Sequence, residues 1–393
     1  MKKIAFVPPW FGLKIPGGAE AACRDIAFHL KDAGVEVEIL TTCVEKFASD
    51  WNVNYYRPGV EIIEGIPIKR FKVTKRDTKA FDRVNAKLIK GMPVTLEEEE
   101  IFFREMVNSE ALYKYIREMQ GDYDAFIFIP YMFGTTYYGV KACPEKSILI
   151  PCLHDESYAH LKGIEEIFKC SQGMVFLSRP EMELAERLYD IGDKKRQVIG
   201  VGIDTKTKGN RERFIKKYGI KNPFILYAGR KDAGKNVDTL LQYFQAFLAM
   251  NPGANLDLVL IGGGSIDIPE AIKDRVWDLG FVPIEDKYDA YGAATLLCQP
   301  SHNESFSIVI MESWIEGTPV LVSAKCDVTK DFCIQSNGGL YFKNYYEFEA
   351  CVNFFIKNTH IAARLGKQGK GFVEKNLSWD VVTAKYKTFI EGL

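Results

Sequence analysis

Two successive runs of alternating strand-like and helix-like segments constrain this chain more than any other feature. The first opens with the apolar run Ile4–Val7 and a Pro16-Gly17-Gly18 turn. Ala19, Ala22, Cys23, Ile26, Ala27 and Leu30 then recur at helical spacing, and Gly34 ends the stripe. Val35–Leu40 alternates as a strand does. Further strands are expected at Ala125–Ile129, Ser147–Pro151, Met174–Leu177 and Gln197–Val201, with helices near 97–119 and 180–190. The pattern restarts with a strand at Phe224–Ala228, a helix over 236–250 and a strand at Leu256–Ile261 that ends in Gly262-Gly263-Gly264. Short runs at Thr295–Gln299 and Pro319–Ser323 continue it. Such alternation predicts parallel sheets covered by helices on both faces. The expected fold class is therefore α/β, with two doubly wound domains facing across a cleft, since these sheets bind ligands beyond the carboxyl ends of their strands. The polar stretch Gly202–Asn210 is the expected linker.

Composition bounds the function. The chain has 393 residues, 47% hydrophobic and 26% charged, the mix of a folded protein with room for two domains. Lys+Arg at 51 against Asp+Glu at 52 leave a formal net charge of −1, so no chain-wide basic excess draws it to nucleic acid. The nine cysteines form no Cys-x-x-Cys pair. They read as reduced thiols of a cytoplasmic protein and lack zinc-site spacing. No apolar run approaches the roughly 18 residues of a membrane span. Lys2 and Lys3 precede only a short apolar stretch broken by Pro8 and Pro9, which reads as a first strand and not as a leader.

The most informative segment is His302-Asn303-Glu304-Ser305-Phe306-Ser307-Ile308-Val309-Ile310-Met311-Glu312. Glu304 stands in a loop and Glu312 in a helix expected to start near Ser305. Free N–H groups at a helix start suit a phosphate, and a carboxylate deeper in the helix suits a ribose diol. Flanking Phe306, Ile308, Val309 and Ile310 argue against a merely solvated helix.

This segment, with Glu316-Gly317-Thr318-Pro319-Val320 after it, resembles the Glu-x7-Glu signature of the retaining glycosyltransferases of family 4, which have the GT-B fold of two Rossmann-like domains. Gly17-Gly18-Ala19-Glu20 looks like the family's first-domain glycine loop. Ser178 and Gly200-Val201-Gly202-Ile203-Asp204 look like its segment before the linker. Gly229-Arg230 through Lys235-Asn236 is similar to its phosphate-binding loop, and Ser378-Trp379-Asp380 to its C-terminal crossing helix. The resemblance covers nearly the whole chain. It implies an acceptor-binding domain over 1–201, a nucleotide-sugar-binding domain over 202–375 and a helix over 376–393 that returns to the first domain. It implies a catalytic set of Arg230, Lys235, Glu304 and His154. Nucleotide-sugar contacts are implied for Gly17, Gly18, Gly229, Val282, Ser305, Phe306, Ser307, Ile308, Val309 and Glu312, with no metal and no cofactor beside the donor. Some guanine-reading relatives carry an Asp two residues after the place of Val282. Ile284 stands there in this chain, and UDP- and GDP-sugars both stay open.

The residue chemistry agrees without the family. A departing diphosphate needs fixed cations, and Arg230 and Lys235 follow a strand in a loop that opens a helix. His154 follows the strand Ser147–Pro151, with Asp155 either orienting it or serving as a loop carboxylate. The expected function is sugar transfer from a nucleotide-diphosphate sugar to a glycan or glycolipid acceptor, in cell-surface polysaccharide or glycolipid synthesis. A nucleotide-sugar epimerase of the same fold and a non-catalytic binding partner are the alternatives. Residues 67–90 hold Lys69, Arg70, Lys72, Lys75, Arg76, Lys79, Arg83, Lys87 and Lys90 against Asp77 and Asp82, a net of 9 − 2 = +7. Two readings stand for this segment: peripheral docking on the inner face of a membrane, or a solvated face balanced by Glu97–Glu100 and Glu105.

Overall fold

The computed structural model describes residues 3–393. They form two compact units, one running to Gly202 and regaining Val382–Leu393, the other spanning Ile203–Val381.

The first unit carries eight strands: β1 Lys3–Val7, β2 Glu36–Thr42, β3 Gly59–Ile63, β4 Ile66–Phe71, β5 Tyr123–Phe128, β6 Ser147–Leu149, β7 Gly173–Phe176 and β8 Lys195–Val198. Their order is β3-β4-β2-β1-β5-β6-β7-β8, parallel throughout except for β3 against β4. The centre is covered on both faces, which is why Ala125–Phe128 is continuously apolar and fully buried. The β3–β4 hairpin is absent from the sequence reading. It turns on Glu64-Gly65, both at positive φ (49° and 79°), with Ile63 paired to Ile66. A two-residue turn of this kind favours Asn-Gly, and Glu weakens the signal. Val60 and Ile62 on β3 face solvent, so burial gives no pattern either.

The helix expected over 97–119 is two helices, Leu96–Arg104 and Glu110–Met119. The Asn108 amide donates to the carbonyls of Phe103, Arg104 and Met106 at 2.7–3.2 Å and ends the first. Ser109 caps the second through Leu112 N–H. Both residues compete with helix for backbone groups. The basic segment 67–90 is also reshaped. It runs through β4 and the helix Thr78–Ile89, and several of its cations turn inward. Arg70 is buried against Glu61 at 2.6 Å and the carbonyl of Phe11 at 2.9 Å. Lys69 bonds the Tyr115 hydroxyl at 2.7 Å, and Lys87 pairs with Glu98 at 2.5 Å. Lys72, Lys75, Lys79, Arg83 and Lys90 stay exposed.

The second unit carries β9 Phe224–Ala228, β10 Asp257–Ile261, β11 Val276–Gly280, β12 Leu296–Gln299, β13 Val320–Ser323 and β14 Gly339–Phe342. All pairs are parallel, in the order β11-β10-β9-β12-β13-β14. Order reverses between β9 and β12, the place where a doubly wound sheet opens a binding crevice. The expected linker Gly202–Asn210 is not a free tether at its far end. Gly209 N–H reaches Glu316 at 2.9 Å, and an added Cβ there would meet the Tyr288 carbonyl at 2.1 Å. Asn210 caps the helix Arg211–Tyr218.

Candidate donor site in the second unit

Three backbone strands approach one another where β9, β10 and β11 end. Gly229 N–H bonds the Ile261 carbonyl at 3.0 Å, Lys231 N–H the Gly263 carbonyl at 2.8 Å, and Gly262 N–H the Gly280 carbonyl at 2.7 Å. A Cβ on Gly262, which has φ +119°, would fall 2.1 Å from the Gly229 carbonyl. The glycine run after β10 is therefore a packing requirement. Lys231, absent from the sequence-derived site, locks the same corner. Its buried ammonium donates to the Gly262 carbonyl at 2.8 Å and to Asp278 at 2.7 Å. A lysine between Arg230 and Asp232 gives no sequence signal for this task, because its acceptors come from the β10 and β11 segments.

The loop after β9 carries the expected cations. Gly229 leaves room for the Tyr227 hydroxyl to reach the Arg230 carbonyl at 2.5 Å. The Arg230 side chain is 67% exposed and touches Asp232 at 3.3 Å. Lys235 reaches across the switch point to Glu304, Nζ to Oε1 2.6 Å. Asn236, at φ 56°, donates to the Pro300 carbonyl at 3.2 Å and lies 3.1 Å from His302 Nε2. Burial, with Lys325 nearby, lowers the His302 pKa, so the ring is neutral and accepts the Asn236 amide. His302 thus ties the β12 loop to the β9 loop.

The expected helix near Ser305 starts later, at Ile308, and runs to Ile315. Ser307 takes the left-handed region at φ 70°, while Phe306 turns inward against Phe332 at 5.4 Å. Ser305, Phe306 and Ser307 are thus loop residues, and Ile308 and Val309 form the first turn. The Ser307 hydroxyl is buried without a hydrogen-bond partner. Glu312 is held by the preceding helix, Ile284–Ala293. Its carboxylate accepts from Lys287 at 2.6 Å, Tyr291 at 2.9 Å and Tyr288 at 3.4 Å. Burial, aided by the Glu312 charge, pushes both phenols up and keeps them as donors. Val282 is half-buried just before that helix, beside Phe281, which is 79% exposed.

Three expected site residues, Gly17, Gly18 and His154, belong to the first unit. Gly17, at φ 144°, precedes the helix Gly18–Asp32, and the Glu20 carboxylate sits beside it, fixed by Trp10 Nε1 at 2.9 Å. His154 follows β6 in a loop organised by Glu181. That buried carboxylate accepts Leu153 N–H at 2.7 Å and Leu177 N–H at 2.6 Å. Burial pushes its carboxyl up to about 8, against backbone donors that favour the charge. Asp155 pairs with His160 at 2.9 Å and Arg187 at 3.3 Å.

Two doubly wound, mostly parallel units in one chain are the architecture of the GT-B fold. Solved structures share the fold over the full chain. Sucrose-phosphate synthase from Thermosynechococcus elongatus superposes with a TM-score of 0.74 at 16% identity, covering 100% of this chain and 99% of that one. HepE from Anabaena, in complex with UDP and glucose, gives 0.71 at 16% identity and covers 100% of both chains. Residues 210–372, within the second unit, match the model of the glycosyl transferases group 1 family. The curated relatives include D-inositol 3-phosphate glycosyltransferases. That of Saccharomonospora viridis is 27% identical over 179 residues, and that of Xylanimonas cellulosilytica 30% over 193. These matches cover 41% and 43% of this chain and 42% and 44% of the relatives, so less than half of either relative's length is matched.

Proposed function

We propose that this protein is a retaining glycosyltransferase that moves a sugar from a UDP- or GDP-sugar to a hydroxyl of a glycan or glycolipid, in the synthesis of cell-surface polysaccharide or glycolipid. The observation that carries the reading is the meeting of Lys235 and Glu304 at the switch point between β9 and β12. One head is a cation suited to a phosphate and the other a carboxylate suited to sugar hydroxyls, as the two ends of such a donor require. Bond cleavage gathers charge on the leaving diphosphate, which Arg230 and Lys235 stabilise more in the transition state than in the ground state. Glu304 orients the sugar, and Glu312 takes the ribose. The acceptor hydroxyl attacks from the face the diphosphate leaves, and its proton passes to the leaving phosphate oxygen. The configuration at the sugar carbon is thereby kept. HepE is described with UDP-glucose as well as with UDP, so UDP-glucose is the first donor to assay.

The test is kcat at saturating donor for Arg230→Ala and Lys235→Ala, with circular dichroism as the fold control. Each should fall by roughly 10²–10³, the cost of losing one preorganised group (~2.7–4 kcal/mol). The double variant should fall short of the product, because both act on one charge. If only KM rises, the two residues bind the donor without acting as a leaving-group clamp.

A further inference from the structure

Cations of the first unit that leave solvent mostly gain a carboxylate in exchange. Arg70 pairs with Glu61 at 2.6 Å, and Lys3 with Glu38 at 3.0 Å. Arg76 differs. Among the described residues it forms no ion pair, and its Nε is buried without a hydrogen-bond partner. The guanidinium lies 4.5 Å from the ring centre of Phe81 and 4.7 Å from that of Trp51. Its place is set by the backbone. Arg76 N–H donates to Asn52 Oδ1 at 2.9 Å, and the Arg76 carbonyl accepts from Asn52 Nδ2 at 3.3 Å. Asp50, Asp82 and Glu105 act on it only from beyond pairing distance. Asp50 accepts Asn52 N–H at 2.9 Å, and Glu105 accepts Asp77 N–H at 2.5 Å and Arg104 Nε at 2.8 Å. A guanidinium cannot neutralise itself by losing a proton. A half-buried charge with an unused donor is therefore left to be matched from outside.

The surroundings show what would match it. Trp51 lies against Trp10 at 6.1 Å, Phe47 at 5.9 Å and Phe133 at 6.2 Å. Trp10 follows β1, Phe47 and Trp51 follow β2, Arg76 follows β4 and Phe133 follows β5. Strand order reverses between β1 and β5, so cation and rings stand at the switch point of the first sheet. Phe47 is 59% exposed, which gives this aromatic wall a wet face.

We propose that this corner is an anion-binding subsite, holding a phosphate or carboxylate of the acceptor on Arg76 with an adjacent ring face of that acceptor against Phe47 and Trp51. The word acceptor rests on the glycosyltransferase reading; the anion site does not.

Inorganic phosphate is the probe, followed by tryptophan emission and phosphorus NMR linewidth on the whole protein. Calorimetric titration with UDP reports separately on the second unit. The parent protein should show saturable phosphate binding. Arg76→Gln should weaken it by roughly tenfold or more, as loss of a charge-assisted hydrogen bond does. Arg76→Lys keeps charge and stem but loses the planar fork, and should fall between. Its near-ultraviolet dichroism guards against misfolding. Glucose 6-phosphate and phosphatidylglycerol vesicles distinguish the sources. Competition by the first identifies a soluble sugar phosphate, and Arg76-dependent sedimentation with the second identifies a lipid headgroup. Absent phosphate binding, or equal binding by the parent and Arg76→Gln, overturns the proposal. Intact UDP binding alongside that result leaves the donor reading standing, whereas absent UDP binding removes the donor reading alone.

Discussion

Glu312 and Gly262 show two ways in which a single position is held. Glu312 is buried and held by donors from Lys287, Tyr288 and Tyr291. If it also takes the ribose, Glu312→Ala weakens UDP binding by ~1.5–3 kcal/mol, the worth of a charged hydrogen bond. Calorimetry reads the affinity and a melting curve reads the fold. A lower melting temperature with unchanged affinity would make Glu312 a tie between helices only. Gly262→Ala tests the backbone crowding. Its Cβ cannot fit 2.1 Å from the Gly229 carbonyl, so the loops must part, at about 1–3 kcal/mol in urea unfolding. Gly253→Ala is the control. Nothing lies within 4 Å of its Cβ, and the change should stay within about 0.5 kcal/mol of the parent.

At the scale of elements, the second unit is tied at its start by ion pairs between the helices Arg211–Tyr218 and Ile284–Ala293. Asp289 is buried and accepts from Arg213 Nη2 at 2.8 Å, while Lys217 pairs with Asp286 at 2.6 Å. The Arg213 guanidinium holds the Asp289 carboxyl below the usual carboxylate range in spite of burial. A depressed folded pKa gives stability that is present above the unfolded value, about 3.9, and lost as pH falls through the folded one. Asp289→Asn should therefore be less stable than the parent at neutral pH. The gap should close as urea midpoints are followed below about pH 4. A gap that persists unchanged in acid would mean that packing, and not charge, sets the cost. The broken helix over 96–119 has the same local logic, since Asn108 and Ser109 stop and restart it by taking backbone partners.

For the whole molecule, no helix among the described residues is long and apolar enough to cross a membrane. Peripheral docking would rest on Lys72, Lys75, Lys79, Arg83 and Lys90, since Arg70, Lys69 and Lys87 are engaged internally. If that surface docks, the protein co-sediments with anionic vesicles at low salt and is released at high salt. Equal binding to neutral vesicles, or none to either, assigns the segment to solvent. The two cores are built around different sheets, one from residues such as Phe126 and Phe128, the other from Leu258 and Phe348. UDP at about a hundred times its Kd should stabilise the native state by ~2.7 kcal/mol, seen as a rise in melting temperature. No shift with UDP or GDP would remove the nucleotide donor.

Local periodicity is a record of each segment's own burial, and that much the amino-acid sequence determined by itself. Continuous apolar runs marked β1, β5, β9 and β10, a helical stripe marked Gly18–Asp32, and the restart at Phe224 marked a second doubly wound sheet. The placement of Arg230, Lys235 and Glu304 just beyond strand ends was legible for the same reason. What each of them touches was not. Lys235 and Glu304 stand 69 residues apart and meet because β12 joins the sheet beside β9. Glu312 finds its donors on a different helix, and Lys231 finds its acceptors on the β10 and β11 segments. Arg76 looked like one member of a basic run. Only the tertiary structure set it between two rings, with Asp50 and Glu105 bonded elsewhere and Asp82 beyond pairing distance. Strand order decides which loops share an edge. It arises from long-range packing that no local pattern encodes, so the partners of charged groups emerge only when the sheets have formed.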